Sequence, residues 1–260
     1  VNTRPLKKPW RVYNKMIIYD SALKIFYSTL INDDLFFSGF STKSQGDARS
    51  IEPIFRFFKE NNVEFKKLVT LEQIHSVNVE EYTAMDNESF TKIEETDGIV
   101  TRKSNTVITA RTGDCCPIIF VDKENKIIGV SHQGWRGSLK RMAQKMVERM
   151  VKMGAKVESI KVAIGPTIGE CCYDVSDDRY YQFLEEFNGY SEKIFHFRNG
   201  KRHLNLALLN YLLLRDVGID IKNIDHFPFC TKCDTKRFFS FRRDRKKEDY
   251  GEMFSFIVYS

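Results

Sequence analysis

Three β-rich runs follow one another with almost nothing between them: Thr106–Ala110, Cys116–Asp122 and Lys126–Ser131, the last two separated by Lys123-Glu124-Asn125 alone. Consecutive parallel strands need a crossover of a dozen or more residues, and no such length exists here. The spacing therefore predicts antiparallel neighbours and argues against a doubly wound parallel sheet. Helical periodicity is clearest over Ser138–Met153, where Leu139, Met142, Ala143, Met146, Val147, Met150 and Val151 share one face before Gly154 stops the pattern. Asp177–Phe187 and Leu204–Val217 behave alike, and the apolar run Leu204–Leu214 is expected deep between layers. Lys161–Ile164 and Met253–Tyr259 read as buried strands. The expected fold class is α+β, a layered sandwich of mixed β-sheets covered by helices. No repeat or Pro/Gly-rich boundary divides the 260 residues, so one domain over 1–260 is expected, with residues 1–20 as a peripheral N-terminal extension.

The formal net charge of +6 is concentrated in Arg4–Arg11 and in Arg237–Lys247, where Phe238, Phe239 and Phe241 interleave with basic residues. No nucleic-acid recognition motif accompanies these stretches, so nucleic acid is not the expected partner. A solvated edge, or a small anion such as phosphate, accounts for the charge equally well. No apolar run reaches the length of a membrane span and no signal-peptide pattern is seen at the start, so a cytoplasmic location, where thiols stay reduced, is expected. The six cysteines come as Cys115-Cys116, Cys171-Cys172 and Cys230-x-x-Cys233. Adjacent pairs make a poor disulfide framework, so metal binding or plain burial is expected instead.

The chemistry concentrates around Val130-Ser131-His132-Gln133-Gly134-Trp135-Arg136-Gly137, a glycine-flanked loop between a strand and a helix. Gly134 and Gly137 suit a tight turn, the N–H groups opening the Ser138 helix attract anions, and Arg136 adds a bidentate contact for phosphate. The plainer reading is a β-to-α turn that Trp135 anchors in the core. Of the five histidines, His75 follows an apolar segment beginning near Leu68 and His132 ends a strand, while Cys115 precedes one. Mixed nitrogen and sulfur donors at three element ends would leave a fourth position open on zinc, the mark of a catalytic rather than a structural site. Side chains alternate along a strand, so only one of Cys115 and Cys116 can face such a metal. A second cluster, Cys230 and Cys233 with Cys171 and Cys172, could hold structural zinc, but neither pair has the spacing of a second knuckle, and buried free thiols are expected there.

Two familiar chemistries fail. The zinc nucleobase deaminases need H-x-E followed by P-C-x-x-C, whereas His132 is followed by Gln133-Gly134 and Phe229 precedes Cys230. A multicopper oxidase needs about ten imidazoles for its blue and trinuclear centres, and this chain has five histidines.

With these residues assembled, the chain resembles the YfiH/YlmD family, also called laccase-domain or polyphenol oxidase proteins, some of whose members are labelled peptidoglycan editing factors. The resemblance rests on Gln73-x-His75-Ser76, Asp97-Gly98, Asp114-Cys115-Cys116-Pro117, His132-x-Gly134-Trp135-Arg136-Gly137 and Gly165-Pro166-x-Ile168-Gly169. It continues through Tyr173-x-Val175 and Cys230-Thr231 to Phe238-Phe239-Ser240-Phe241-Arg242-Arg243-Asp244, in order from about residue 35 onward. It implies zinc held by His75, Cys115 and His132, an α+β layered sandwich, and phosphorolysis of adenosine, inosine, guanosine or methylthioadenosine to base and ribose 1-phosphate, with adenosine deamination as a further activity. One departure is the short Ser41–Gly46 segment, followed by a helix with Phe55-Arg56 where relatives carry Asn-Arg.

Phosphate is accordingly expected beside Gly134–Ser138, neutralised by Arg136 with Arg56 or Arg242. Asp114 reads equally as a proton shuttle and as a cap. A competing enzyme class makes Cys115 a thiolate nucleophile with His132 or His75 as base, hydrolysing a peptidoglycan precursor. A third reading is a zinc-binding interaction protein without catalysis.

Overall fold

Strand alternation sorts the apolar side chains into three separate cores, and these define the layers. In Cys116–Asp122, the side chains of Cys116, Ile118 and Phe120 join one core while Ile119 and Val121 join another. In Met253–Tyr259, Met253, Ile257 and Tyr259 enter that second core while Phe254, Phe256 and Val258 enter a third. Both strands are therefore buried on both faces, as continuous apolar runs require. The computed structural model describes residues 17–84, 88–248 and 250–260. The basic stretch Arg4–Arg11 and most of the expected 1–20 extension lie outside the described residues.

A seven-stranded sheet runs in the order Ile17–Asp20, Ile25–Ser28, Phe36–Ser41, Met253–Tyr259, Thr106–Thr112, Lys67–Leu71 and Phe90–Ile93. Its outer face is covered by the helix Glu52–Glu60, which turns Ile54, Phe57 and Phe58 inward at i, i+3 and i+4. The inner face packs on a six-stranded sheet of order Ile224–His226, Lys161–Ile164, Cys116–Asp122, Ile127–Gln133, Gly98–Thr101 and Val79–Tyr82. Helices Met142–Lys152 and Leu206–Asp216 close the far side, and a small sheet of Asp174–Val175, Lys201–Leu204 and Phe195–Arg198 flanks them. Each large sheet contains parallel and antiparallel pairs. The fold is an α+β layered sandwich of mixed sheets, as the sequence predicts.

Two details differ from the sequence reading. Cys116–Asp122 and Ile127–Gln133 pair antiparallel as expected, but Thr106–Thr112 belongs to the other sheet. Residues 113–115 carry the chain between layers, which puts Asp114 and Cys115 at one end of the sandwich. The long helix expected over Ser138–Met153 is two helices, Trp135–Leu139 and Met142–Lys152, broken where Arg141 takes a left-handed φ of 62°. An arginine in that conformation is locally unfavourable, and amphipathic spacing carries no trace of it.

Candidate metal centre and its cavity

Four element ends meet at that end of the sandwich. Gly98–Thr101 pairs antiparallel with Ile127–Gln133, Ser131 opposite Gly98, so Asp97 lies beside His132. Cys116–Asp122 pairs His132 with Pro117, which brings Cys115 close from the other flank. Beyond Lys67–Leu71 in the larger sheet, the chain folds over this junction and delivers His75. The ligand atoms of His75, Cys115 and His132 lie within 4.8 Å of one another, with Cys115 Sγ 3.9 Å from His75 Nε2. Cys116 points the other way, fully buried in the helix-side core, which settles the choice between the adjacent cysteines.

Asp97 organises the junction. Its fully buried carboxylate accepts hydrogen bonds from the backbone N–H groups of Ile74, His75 and Ser76, from the Ser76 hydroxyl at 2.7 Å, and from His132 Nδ1 at 2.7 Å. The same carboxylate thus folds the His75 loop around itself and fixes the His132 ring. With Nδ1 as donor, His132 keeps Nε2 for a metal, the carboxylate–histidine arrangement common behind metal ligands. Burial opposes its charge, but His132 and Ser76 hold the Asp97 carboxyl below its ordinary range. Its functional weight escaped the sequence reading, although Asp97-Gly98 was visible as a motif. The available signal was an acidic residue heading the apolar strand Gly98–Thr101.

Backbone strain marks the same loops. His75 has φ 61° and Asp114 φ 97°, both in the left-handed region that side chains disfavour by about 1–3 kcal/mol. Gly134 is different. Its φ of −71° is ordinary, so no tight turn explains it. A Cβ there would lie 2.7 Å from His75 Cδ2 and 3.2 Å from Cys115 Sγ, so the glycine makes room for the ligands. Gly137 likewise sits inside the helix Trp135–Leu139, where a Cβ would come within 3.3 Å of the Ser76 carbonyl. The glycines serve close approach, and the turn chemistry expected from the sequence is absent.

Cys115 and His132 shift one another's charge. Burial alone pushes the Cys115 thiol up, but the His132 and His75 rings outweigh it and bring it down to about 7. Burial also opposes charge on His132, while Cys115 and Asp97 raise it to about 10. The donor chemistry fits a divalent ion of intermediate softness: one thiolate and two imidazoles, close enough to share one centre, with a carboxylate behind one ring. Three protein donors would leave a position free for water or substrate.

The trio opens into a cavity of about 700 Å³. Arg111, Arg136, Arg179, Arg242 and Arg245 face it, against the acids Asp114 and Glu252, and Trp135, Tyr173, Phe241 and Tyr250 add rings. Arg136 and Arg179 lie over the Trp135 ring at 4.7 and 4.2 Å. Arg179 Nε is buried without a hydrogen-bond partner among the described residues. Arg242 pairs with Asp174 Oδ1 at 2.8 Å and covers Tyr173 at 5.3 Å. Arg136 and Arg242 are therefore where the sequence reading expected cationic groups.

Arg56 is not. It sits on the exposed face of Glu52–Glu60, donates to the Gln45 carbonyl at 2.7 Å, and borders a separate depression with Phe55 and Lys59. Helical periodicity explains this, because Phe57 and Phe58 take the buried face and turn Arg56 outward. Arg179, Arg111 and Arg245, which the sequence does not single out, face the cavity instead. Asp114 resolves toward capping: its carboxylate accepts from Thr231 Oγ1 at 2.5 Å, Ser240 Oγ at 2.9 Å and Arg242 N at 2.7 Å. Burial pushes its carboxyl up despite these donors. The basic-aromatic stretch Arg237–Lys247 is accounted for in part by this wall, since Phe238 is fully buried while Arg242 and Arg245 face the cavity.

Comparison with known proteins agrees with the fold and the motifs. Residues 27–260 match the family model described as multi-copper polyphenol oxidoreductase laccase. The chain belongs to that family, the YfiH/YlmD proteins. It is 36% identical over 187 residues to adenosine deaminase RL5 of an unknown prokaryotic organism, covering 70% of this chain and 71% of that one. It is 32% identical over 203 residues to purine nucleoside phosphorylase YlmD of Bacillus subtilis, covering 75% and 72%. The crystal structure of YlmD from Geobacillus stearothermophilus superposes with a TM-score of 0.82 at 25% identity, covering 94% of this chain and 99% of that one. Among the described residues, no helix is long and apolar enough to cross a membrane.

Proposed function

We propose that this chain is a zinc-dependent purine nucleoside phosphorylase, taking adenosine, inosine, guanosine or methylthioadenosine with phosphate to base and ribose 1-phosphate, with adenosine deamination as a further reaction. The observation that carries this reading is the convergence of His75, Cys115 and His132 on a cavity faced by arginines. Relatives named as purine nucleoside phosphorylases and as an adenosine deaminase support the substrate class. Zinc held by His75, Cys115 and His132 would supply a Lewis acid there.

The chain's own residues do the rest. Arg136, Arg179 and Arg242 draw phosphate into the cavity and neutralise it, the buried Nε of Arg179 gaining an acceptor. Trp135, Tyr173 and Phe241 offer ring faces to a purine, and Tyr250 closes the same wall. A phosphate oxygen attacks C1′ of the ribose while the bond from C1′ to the base nitrogen breaks. The electron pair leaves with the base, the proton of the attacking hydrogen phosphate passes to the base nitrogen, and ribose 1-phosphate remains. Holding both reactants in line removes much of the entropy cost, and the fixed guanidinium groups meet charge without reorganising. Asp97 holds the His132 ring in place throughout.

The test is release of adenine from adenosine by zinc-loaded protein, with and without phosphate. Phosphate-dependent formation of ribose 1-phosphate that stops on chelation and returns with zinc is the expected result. Turnover that survives complete chelation would overturn the reading in favour of a Cys115 nucleophile, and absence of any nucleoside cleavage would favour a non-catalytic role.

A further inference from the structure

Free thiols are what the sequence leads one to expect at Cys171, Cys172, Cys230 and Cys233, yet the fold gathers all four. Their sulfur atoms lie within 4.8 Å of one another, with Cys233 Sγ 3.6 Å from Cys171 Sγ and 3.4 Å from Cys172 Sγ. A tetrahedral zinc with Zn–S bonds of about 2.3 Å has sulfur–sulfur edges of roughly 3.8 Å. A disulfide needs about 2.05 Å, and these sulfurs are far beyond it. We propose that Cys171, Cys172, Cys230 and Cys233 form a second, closed zinc site with a structural role, separate from the His75–Cys115–His132 centre.

Local backbone removes the objection that adjacent cysteines diverge. That rule holds in a strand, but the N–H groups of Cys172 and Tyr173 both bond back to the Gly169 carbonyl, making residues 169–173 a turn. Turn geometry sends both sulfurs to the same side. The second segment is tied to the first at its root: Thr167 pairs with Cys230 in parallel fashion, and Thr231 N–H donates to the Thr167 carbonyl. Gly169 fits the same design. A Cβ there would meet Cys230 Cβ at 3.0 Å and Cys171 Sγ at 3.3 Å, so only glycine lets the two segments close to this distance. Four thiolates fill a tetrahedron and leave no position for substrate, which is why the role is structural. Cys171 and Cys233 are exposed, giving the ion a way in.

The ion would clamp what borders the catalytic cavity. Thr231 follows Cys230 and donates its hydroxyl to Asp114, whose neighbour is Cys115. Tyr173 follows Cys172 and lines the cavity. Arg243 binds the Thr231 and Lys232 carbonyls at 3.1 and 2.9 Å, tying the clamp to the helix Phe241–Asp244 that carries Arg242.

Metal analysis of the full chain, purified without chelator, tests the site. The expected content is two zinc ions per chain, falling to one in His75→Ala/His132→Ala and to one in Cys230→Ser/Cys233→Ser. Cobalt substitution of the unaltered protein and of Cys115→Ser reads the ligands directly and does not depend on the folding of the second variant. Cys115→Ser removes the single thiolate of the catalytic trio, so the intense thiolate-to-cobalt charge-transfer band should persist in it nearly undiminished. Loss of that band in Cys115→Ser, iron in place of zinc, or free alkylation of all four cysteines in the native protein would overturn the proposal.

Discussion

The two sulfur-bearing centres of this molecule are built in opposite ways. The candidate trio draws His75, Cys115 and His132 from three element ends in two different sheets, and a buried carboxylate, Asp97, positions the pieces. The four-cysteine cluster uses two turns, and the backbone positions them directly through Thr167, Gly169 and Cys230. One faces the cavity and depends on a hydrogen-bonded support; the other depends on close backbone packing. The difference teaches where each is vulnerable, since a supported site fails when its support is altered and a packed one fails when it is unpacked.

The largest effect should follow removal of an imidazole from the open centre. His132→Ala should lower phosphorolysis by on the order of 10³-fold or more while the four-cysteine cluster keeps its metal. Steady-state kinetics together with metal content would check both halves, and loss of both metals would break the comparison. Asp97→Asn should come next, weakening metal binding at the trio by about 10–100-fold, measured by competition with a chromophoric chelator. An unchanged affinity would mean that Asp97 shapes the loop without tuning the ligand.

Thr231→Val should have a smaller and different effect. It deletes one of three side-chain or backbone donors to the buried Asp114 carboxylate and should cost about 1–3 kcal/mol of stability, read by denaturant unfolding. Metal content should be unaffected, because the hydroxyl touches neither cluster. The smallest effect belongs to Arg56→Ala, which should leave the KM for phosphate unchanged while Arg136→Ala raises it. Equal effects of the two substitutions would return Arg56 to the phosphate site.

Much of this architecture is legible in the sequence, and the failures have identifiable causes. Met253–Tyr259 reads as a strand because apolar residues fill it on both faces, and the structure buries it on both faces. His75, Cys115 and His132 stand out as scarce residue types at element ends, and the fold brings them together. The break at Arg141 is invisible because the residues on either side keep one helical face. Arg56 misleads because a motif fixes a position along a helix without fixing its face. The gathering of the four cysteines is hidden because spacing along the chain says little about two turns that meet only through the sheet. Asp97 shows the same limit: its residue type is visible, its five donors are not.

The strand Met253–Tyr259 follows every other described strand in the chain, yet it lies in the middle of the larger sheet, between Phe36–Ser41 and Thr106–Thr112. During synthesis the ribosome must therefore deliver both flanks long before the piece that joins them. Until then the sheet has two open, strongly apolar edges, which are templates for pairing with other chains. Contacts this distant in sequence close slowly. The nascent protein thus passes through a stage in which its largest sheet is split in two, and chaperone dependence and aggregation on slow translation are the costs to look for.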